Sequence, residues 1–403
     1  MNVVILAPIG NRYIDYFTVV KDHPDHHYCL FILEKHRDNY PESLPDNIEL
    51  IVLKDWVRTY IAYEIGLFHQ RYPIDLLFAY TEEEILFAAE MRERYQIKGQ
   101  KTENALRFRH KNRMMDFVQQ NGFDVPSFDL VHSVEELKEA IERITYPVIV
   151  KPGDGMGSQR TYRLNHASDL QQYIRENNIQ NILVSRFIDW PVYHLDGLMK
   201  QGEILAFSPS RYFHNTLDYQ HNQSIGSIQV EENSPAYHHL LDYSQSLLPL
   251  FNQEETLIFH LEVFFKKGKI YFLEVACRMG GGRIERELYQ TYGVHFIQEL
   301  LAQELGEKQR MSYRKINPLT KGFVLVAPKE GLIRQLPAQS IEKLPFENVY
   351  DFYLFRKEGS QSKKAASSID AIASISVEGQ SFEKVLKELK EIDRWYREKM
   401  IYE

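Results

Sequence analysis

The chain contains few cysteines. Only Cys29 and Cys277 occur among its 403 residues. A small secreted domain held together by disulfides would carry more, so we expect a protein of the reducing cytoplasm. We interpret Cys277 as a packing residue, because the sequence offers no clear histidine partner that could activate its thiol.

The chain also lacks a surplus of positive charge. It has 48 Lys and Arg against 56 Asp and Glu, a formal net charge of −8, and the two signs are interspersed. A nucleic-acid groove would need a basic stripe, so nucleic acid is not an expected partner. Aromatic residues make up 13% of the chain, which excludes a disordered protein and predicts packed lobes.

Long hydrophobic runs are missing as well. The apolar stretch of residues 3–9 is far shorter than the roughly 20 residues needed to cross a bilayer, and no other run reaches that length. The N-terminal sequence MNVVILAPIG has no basic segment and no cleavage site, so it does not resemble a signal peptide. We therefore expect a soluble, cytoplasmic protein without a membrane partner.

The first hundred residues have the pattern of an open α/β lobe. Continuous apolar runs, typical of buried parallel strands, occupy residues 3–7, 28–33 and 49–53. Residues 74–95 predict a strand, a loop and a helix. Glu82, Glu83 and Glu84 would lie in the first turn of this helix, where its dipole favours acids. We expect residues 1–104 to form the first domain.

Helices and strands follow in the middle and at the end of the chain. Helices are predicted over residues 104–120, closed by Asn121-Gly122, over residues 134–143, opened by a Ser133/Glu136 capping box, from about residue 284, and over residues 382–400. Strands are predicted over residues 147–151, 181–188, 257–265, 269–275, 323–327 and 371–377. The strands 257–265 and 269–275 should form an antiparallel hairpin around a turn at Lys267-Gly268.

A glycine-rich loop follows one of these strands. The segment VIVKPGDGMGS places Lys151 at the end of a buried strand, followed by Gly153, Gly155, Gly157 and Ser158. Glycines let backbone N–H groups approach phosphate oxygens, and lysine adds a point charge. The spacing fits neither a GxGxxG fingerprint nor a GxxxxGK[ST] loop.

The predicted hairpin carries two acidic side chains. Glu262 and Glu274 each lie among apolar neighbours in a strand. A carboxylate in such a position costs free energy unless it meets a cation, and Mg²⁺ prefers oxygen ligands of this kind. Arg278, four residues beyond Glu274, precedes a run of glycines and is well placed to meet a phosphate or an oxyanion.

Taken together, these motifs resemble those of the ATP-grasp superfamily, within it the carboxylate–amine ligases, over nearly the whole chain. RHKNRMMDFVQQNGFDVPSF is similar to the segment in which the family places its first phosphate-binding lysine. The resemblance implies that Lys111 and Lys151 bind the nucleotide phosphates together with Gly157 and Ser158, and that Arg278 is the catalytic arginine.

The resemblance also implies the metal and adenine contacts. Glu262 and Glu274 match the family's carboxylates for Mg²⁺, for which Mn²⁺ could substitute, whereas Ala276 stands where many members have an Asn ligand. LVSRFIDWPVYHLDG is similar to the interlobe hinge, where the carbonyl of Arg186 and the N–H of Ile188 would bracket the adenine of ATP. Ser185 and Val192 replace glutamates common in the family.

The implied reaction is ATP-dependent formation of an amide bond. A carboxylate would take the γ-phosphoryl group of ATP to give an acyl phosphate and ADP, and an amine would then displace phosphate. An L-amino acid ligase that makes dipeptides is the favoured reading. The alternatives are ligation to another amine or to a carrier-protein thiol, and an inactive nucleotide-binding regulator. The resemblance also implies a homodimer.

The expected architecture is the ATP-grasp fold, of the α/β (α+β) class. Its predicted parts are an N-terminal domain at 1–104, a small lid lobe at 105–190, a large antiparallel-sheet lobe with the metal and catalytic residues at 191–320, and a C-terminal subdomain at 321–403. Residues 208–226 resemble a variable loop on the substrate side. Arg211, Tyr212 and His214 of this loop are candidate substrate contacts. His260 would share the strand face of Glu262.

Overall fold

Four sheets and the helices packed on them are seen in the computed structural model, which describes residues 1–11, 14–155, 157–214, 217–251, 256–307, 313–367 and 370–403. The strands, in chain order, are β1 (Asn2–Ala7), β2 (His27–Leu33), β3 (Ile48–Leu53), β4 (Leu76–Ala79), β5 (Phe128–Val131), β6 (Val148–Pro152), β7 (Tyr162–Leu164), β8 (Ile182–Arg186), β9 (Val192–Lys200), β10 (Glu203–Tyr212), β11 (Ile225–Gln229), β12 (Thr256–Lys266), β13 (Lys269–Ala276), β14 (Thr320–Leu325), β15 (Gly331–Gln335), β16 (Val349–Leu354), β17 (Gln361–Ser362), β18 (Ala373–Gly379) and β19 (Ile401–Tyr402).

Helices cover the faces of these sheets. They are α1 (Tyr16–Lys21), α2 (Arg58–Arg71), α3 (Ile85–Arg94), α4 (Thr102–Arg109), α5 (Lys111–Gln120), α6 (Val134–Ile144), α7 (Ala167–Glu176), α8 (Pro235–Phe251), α9 (Ile284–Tyr292), α10 (Phe296–Glu304) and α11 (Phe382–Lys399), with short 3-10 helices at Glu34–Asn39, Asp218–His221 and Ile341–Lys343. None of the helices in the described ranges combines the length and the apolar character that crossing a membrane requires.

The N-terminal sheet is parallel, in the order β3-β2-β1-β4, and confirms the predicted opening strands. Val3 and Ile5 pack into one hydrophobic cluster, whereas Val4 and Leu6 pack into another on the opposite face. Helices cover both faces, which explains why these strands are apolar without alternation. The carboxyl ends of the strands lead into loops that border the cavities described below.

The three acids predicted in the first turn of α3 precede that helix. It begins at Ile85, with Glu84 as its N-cap residue. Glu82 and Glu84 are buried, and arginines engage both of them; Arg58 lies 3.1 Å from Glu84. The prediction was wrong because the carboxylates of Glu82 and Glu84 form ion pairs with arginines from other parts of the chain.

The single helix predicted over residues 104–120 is also wrong. It is broken into α4 and α5 at His110, whose φ of −100° and ψ of 108° are extended. The break lets the N–H of Lys111 donate to the carbonyl oxygen of Gly153 at 2.9 Å. The first turn of α5 is therefore tied to the glycine-rich loop.

A small antiparallel sheet, in the order β5-β8-β6-β7, carries that loop. Val148 and Val150 point toward α6 and α7 in one hydrophobic cluster. The alternating residues Ile149 and Lys151 face a cavity on the other side. One bond of the predicted capping box of α6 is present, since the N–H of Glu136 donates to Ser133 Oγ at 3.1 Å, whereas Glu136 Oε2 accepts from the N–H of His132 at 2.6 Å.

The largest sheet is antiparallel, with eight strands in the order β13-β12-β9-β10-β11-β14-β18-β16. The predicted substrate-side loop at 208–226 is wrong at its two ends, which form the end of β10 and the start of β11. The sequence pattern does not indicate these strands, because they contain polar residues. In the fold such side chains are buried and hydrogen-bonded to one another, as where Gln229 Nε2 donates to Ser208 Oγ at 3.0 Å. Strands from 191–320 and from 321–403 share this sheet, and the boundary at 320 stays a prediction.

The hairpin of β12 and β13 forms as predicted, with Lys267 and Gly268 both at positive φ in its turn. Glu262 lies directly opposite Glu274, but the next pair joins Val263 to Phe272. Leu273 is therefore the extra residue of a β-bulge. As a result, consecutive side chains, Leu273 and Glu274, both line one cavity.

We predict that Gly197→Ala destabilises the fold by about 3 kcal/mol or more. A Cβ at this position in β9 would lie 2.0 Å from the carbonyl oxygen of Ala206 and 2.8 Å from Phe259 Cζ. Urea unfolding monitored by circular dichroism measures the change in the free energy of unfolding.

The matched control is Gly359→Ala, which has open space around the added methyl and a φ of +80°. It should cost only about 1 kcal/mol, from backbone strain. Equal losses in the two variants would contradict the steric explanation.

Candidate active site

Two lysines from separate elements meet beside the glycine-rich loop. Lys151 comes from β6 and Lys111 from the first position of α5, and both line the same cavity. Lys111 Nζ donates to the carbonyl oxygen of Gly155 and lies 3.5 Å from Glu274 Oε2. Burial lowers the pKa of Lys151 to about 8, although the carboxylate of Glu274 opposes this effect.

The two strand-borne glutamates face the same cavity, on one face of their sheet. Burial raises the pKa of the Glu274 carboxyl, but Lys111 and Lys151 outweigh burial and hold that pKa well below its usual range. The hydroxyl of Tyr212 donates to Glu262 Oε1 at 2.9 Å. Both acids offer only oxygen atoms, which fits a hard cation such as Mg²⁺, whereas Ala276 offers no side-chain ligand.

Arg278 is fixed by a carboxylate from the N-terminal lobe. Its Nε donates to Glu82 Oε2 at 2.6 Å, and its Nη1 donates to the carbonyl oxygen of Met279 at 2.8 Å. Arg109 binds the other oxygen of Glu82. Burial raises the pKa of Glu82, but Arg278 and Arg109 outweigh it and lower that pKa overall. Sequence analysis missed this role, because an ion pair so distant in sequence has no local signal.

Two adjoining cavities share this group of charges. The first, which we call the phosphate-side cavity, contains both lysines and is otherwise lined by Ile149, Pro152, Gly155, Gly157, Ser158, Gln159, Thr161, Phe187, Val192, Leu217, Glu262, Phe264, Leu273 and Glu274. The second, the substrate-side cavity, has a volume of about 250 Å³. It contains Arg278 and also borders Glu262 and Glu274. The glutamates and the glycine-rich loop thus stand at the boundary between the cavities.

Similarity to known proteins agrees with this geometry. Residues 116–281 match the ATP-grasp domain family. Over 356 residues, the chain is 28% identical to the L-arginine-specific L-amino acid ligase of Bacillus subtilis, covering 85% of this chain and 82% of that protein. The matched segment contains Lys151, Glu262, Glu274 and Arg278.

The chain contains an ATP-grasp domain at residues 116–281.

Solved structures share the fold over the entire chain. The L-amino acid ligase from Bacillus licheniformis superposes with a TM-score of 0.75 at 19% identity, covering 100% of this chain and 98% of that one. Phosphoribosylglycinamide synthetase from Anaerococcus prevotii gives 0.66 at 15% identity, covering 100% and 99%. The predicted fold class is confirmed. The predicted enzyme class, an ADP-forming ATP-grasp ligase that makes carbon–nitrogen bonds, agrees with the domain match and with the ligase named above.

The predicted hinge of the ATP-grasp domain lies at the end of β8. Phe187, which lies in the chain between the two residues predicted to bracket adenine, lines the phosphate-side cavity. Val192, which follows them, lines it as well. The N–H of Arg186 donates to the carbonyl oxygen of Ser127 at 2.8 Å, and Ile188 is buried. The proposed adenine contacts of the Arg186 carbonyl and the Ile188 N–H stay predictions.

The remaining predicted residues separate into two groups. Gly157 and Ser158 border both cavities, and Tyr212 borders the substrate-side cavity. Arg211 instead places its guanidinium 4.6 Å from the ring centre of Phe382. His214 is not among the residues that line either cavity.

Cys277 is buried next to Gln100, whose Nε2 lies 3.6 Å from its sulfur. Burial raises the pKa of this thiol to about 12. Such a thiol is a poor nucleophile, which agrees with a packing role.

A buried chain of polar groups adjoins Glu262 and was missed in part by sequence analysis. Asp196 Oδ2 lies 2.5 Å from His194 Nδ1, and Asp196 Oδ1 lies 2.8 Å from His260 Nδ1. His260 Nε2 is 3.5 Å from Glu262 Oε1, so His260 does share the face of that glutamate. The alternation of His194 and Asp196 in one strand, beside His260 and Glu262 in another, was the available signal.

We predict that Glu82→Gln lowers kcat/KM for ADP release from ATP by tenfold or more. This corresponds to a rise in the activation free energy of about 1.4 kcal/mol or more. The amide loses the charge that holds Arg278 and Arg109, so the Arg278 guanidinium is no longer held in one position. A coupled ADP assay measures the effect.

Glu90→Gln, an exposed change in α3, is the matched control and should retain wild-type activity. If Glu82→Gln were as active as this control, the positioning role of Glu82 would be rejected.

Proposed function

We propose that this protein is an ATP-dependent L-amino acid ligase, which joins the carboxylate of one L-amino acid to the amine of another. One observation carries the proposal. Lys111, Lys151, Glu262, Glu274 and Arg278 converge where the phosphate-side and substrate-side cavities meet. A triphosphate in the phosphate-side cavity and a carboxylate in the substrate-side cavity would therefore approach each other between the two lysines and Arg278.

The proposed first step transfers a phosphoryl group. A carboxylate oxygen of the substrate forms a bond to the γ-phosphorus of ATP, the bond from that phosphorus to the β–γ bridging oxygen breaks, and ADP leaves. Lys111, Lys151 and Arg278 offset the negative charges that this step brings together. Mg²⁺ held by Glu262 and Glu274 would add positive charge beside the phosphates.

In the second step the amine nitrogen attacks the carbonyl carbon of the acyl phosphate. Inorganic phosphate leaves and takes up the proton that the amine loses as the amide forms. Arg278, held at the substrate-side cavity by Glu82, is placed to stabilise the tetrahedral oxyanion.

The glycine-rich loop would protect the acyl phosphate from water. Gly157 and Ser158 border both cavities, and the hydroxyl of Tyr219 donates to the carbonyl oxygen of Ser158 at 3.0 Å. A loop held across the reacting groups excludes the competing nucleophile. We infer that this segment is the lid of the site.

Support for amino acid substrates comes from the relative that is named an L-arginine-specific L-amino acid ligase. The test is ADP release with the twenty amino acids, singly and in pairs, with the product masses recorded. We expect a dipeptide mass for at least one pair. ADP release with a carrier protein, and with no amino acid pair, would reject the dipeptide proposal in favour of a thiol acceptor.

We predict that Glu274→Ala lowers ADP formation by at least about a thousandfold and leaves the circular dichroism spectrum unchanged. The variant loses a carboxylate for Mg²⁺ and the partner of both lysines. Glu203→Ala, an exposed glutamate of β10, is the matched strand control and should keep full activity. Undiminished turnover in Glu274→Ala would reject the metal assignment.

Removal of divalent cations gives a separate prediction. EDTA should abolish ADP formation, and added Mg²⁺ should restore it, because the paired carboxylates repel phosphate unless a cation lies between them. Full activity in excess EDTA would contradict a Mg²⁺ site at Glu262 and Glu274.

A further inference from the structure

The histidine two residues before Glu262 borders the substrate-side cavity. His260 and Glu262 alternate along β12, so both side chains lie on the sheet face that carries Glu274. His260 Nε2 is 3.5 Å from Glu262 Oε1, which is longer than a typical N–H···O hydrogen bond. An imidazole nitrogen therefore stands beside the two carboxylates that are proposed to hold the divalent cation.

The other nitrogen of this ring is fixed from behind. His260 Nδ1 lies 2.8 Å from Asp196 Oδ1, and Asp196 Oδ2 lies 2.5 Å from His194 Nδ1. All three residues are buried. In protein metal sites, a carboxylate bound to one ring nitrogen of a histidine orients the ring and leaves the other nitrogen for the metal. Asp196 holds His260 in this way, with Nε2 toward Glu262.

The backbone that follows Arg278 lies over this hydrogen bond. A Cβ at Gly280 would lie 2.7 Å from His260 Nδ1 and 2.8 Å from Asp196 Oδ1. Glycine is therefore required at this position by the lack of space. The close approach of the backbone also leaves the ring of His260 little room to turn away from Glu262.

The position directly opposite His260 offers no ligand of its own. Ala276 pairs with His260 across β12 and β13, two residues beyond Glu274. Side chains in such pairs have their Cβ atoms about 5 Å apart. A longer side chain at Ala276 would compete with the imidazole for the space beside Glu274, whereas a methyl group leaves that space to the ring.

The charges around the ring also favour a cation. Burial lowers the pKa of His260, but Asp196 and Glu262 outweigh burial and raise that pKa to about 10. The negative charge that favours a proton on the ring equally attracts a divalent ion, and such an ion displaces protons from its ligands.

We propose that His260 Nε2 is a third protein ligand of the divalent cation, beside Glu262 and Glu274, and that it makes the site prefer Mn²⁺ to Mg²⁺. Mg²⁺ prefers oxygen ligands, whereas divalent transition-metal ions such as Mn²⁺ also take imidazole nitrogen. The inference rests on the metal site of the proposed function, to which it adds a ligand and the identity of the preferred ion.

The test uses the whole protein with ADP and Mn²⁺, whose unpaired electrons report directly bound nitrogen. Pulsed electron paramagnetic resonance of the wild type should show a ¹⁴N coupling, which becomes a ¹⁵N coupling when histidine alone carries ¹⁵N. The nitrogens of lysine and of the nucleotide keep ¹⁴N in that sample, so the change identifies a histidine ligand. This measurement needs no variant.

His260→Asn replaces the ring nitrogen with an amide oxygen and shows which histidine is bound. It should remove the histidine coupling and raise the dissociation constant for Mn²⁺ at least about tenfold. The dissociation constant for Mg²⁺, measured by competition with Mn²⁺, should change less than about threefold, because the amide offers oxygen. His238→Asn, exposed in α8, is the matched control and should keep the wild-type values.

Bound Mn²⁺ without a histidine coupling in the wild type would overturn the ligand assignment, as would a wild-type affinity for Mn²⁺ in folded His260→Asn. ADP release by such a protein would leave the proposed function standing. A histidine coupling in a wild type that releases no ADP with any pair of amino acids would support the ligand and reject the proposed function instead.

Discussion

Charge compensation around two lysines is the constraint on which the site depends. Lys151 is held in a cavity wall where burial favours its neutral form, and Glu274 opposes that effect. The same carboxylate lies 3.5 Å from Lys111, so one acid serves cations from two separate elements. Unpaired charges at this depth would be costly, and their mutual attraction offsets much of that cost. The arrangement is thus charged and preorganised before any phosphate arrives, which is the condition for electrostatic stabilisation of phosphoryl transfer.

Several irregularities of the fold follow from this constraint. The break at His110 turns Lys111 toward the glycine-rich loop, and the N–H and Nζ of Lys111 both bind that loop. The turn before α3 directs Glu82 toward Arg109 and Arg278 instead of leaving it to cap a helix. In each case the backbone departs from a regular helix, and a charged side chain at that point forms an ion pair with another lobe. Charged groups from the N-terminal lobe, the small sheet and the large sheet therefore hold one another in position.

The sequence predicted those parts of the fold whose cause is local. The β12–β13 hairpin has two largely apolar strands joined by a turn glycine, and the N-terminal strands are continuous apolar runs, so the sequence predicts both. The break at His110 depends on a carbonyl group at Gly153, distant in the chain, and no pattern around His110 indicates it. The end of β10 was read as a loop because Ser208 and Ser210 are polar, although both are buried. The resemblance to a family supplied the five charged residues of the site, but not Glu82, which binds Arg278, or Asp196, which binds His260 beside Glu262.

The bulge at Leu273 has a consequence for how this enzyme can vary. In a regular strand, consecutive side chains point to opposite faces, so Leu273 and Glu274 would not both border the phosphate-side cavity. The extra residue lets an apolar and an acidic side chain face it in succession. Deleting one residue from β13 would remove the bulge. The residues on one side of the deletion would then be shifted by a single position relative to those on the other side. A change in the length of β13 would therefore disturb the site, and grafting the hairpin into another protein would require the bulge to be transferred with the two glutamates.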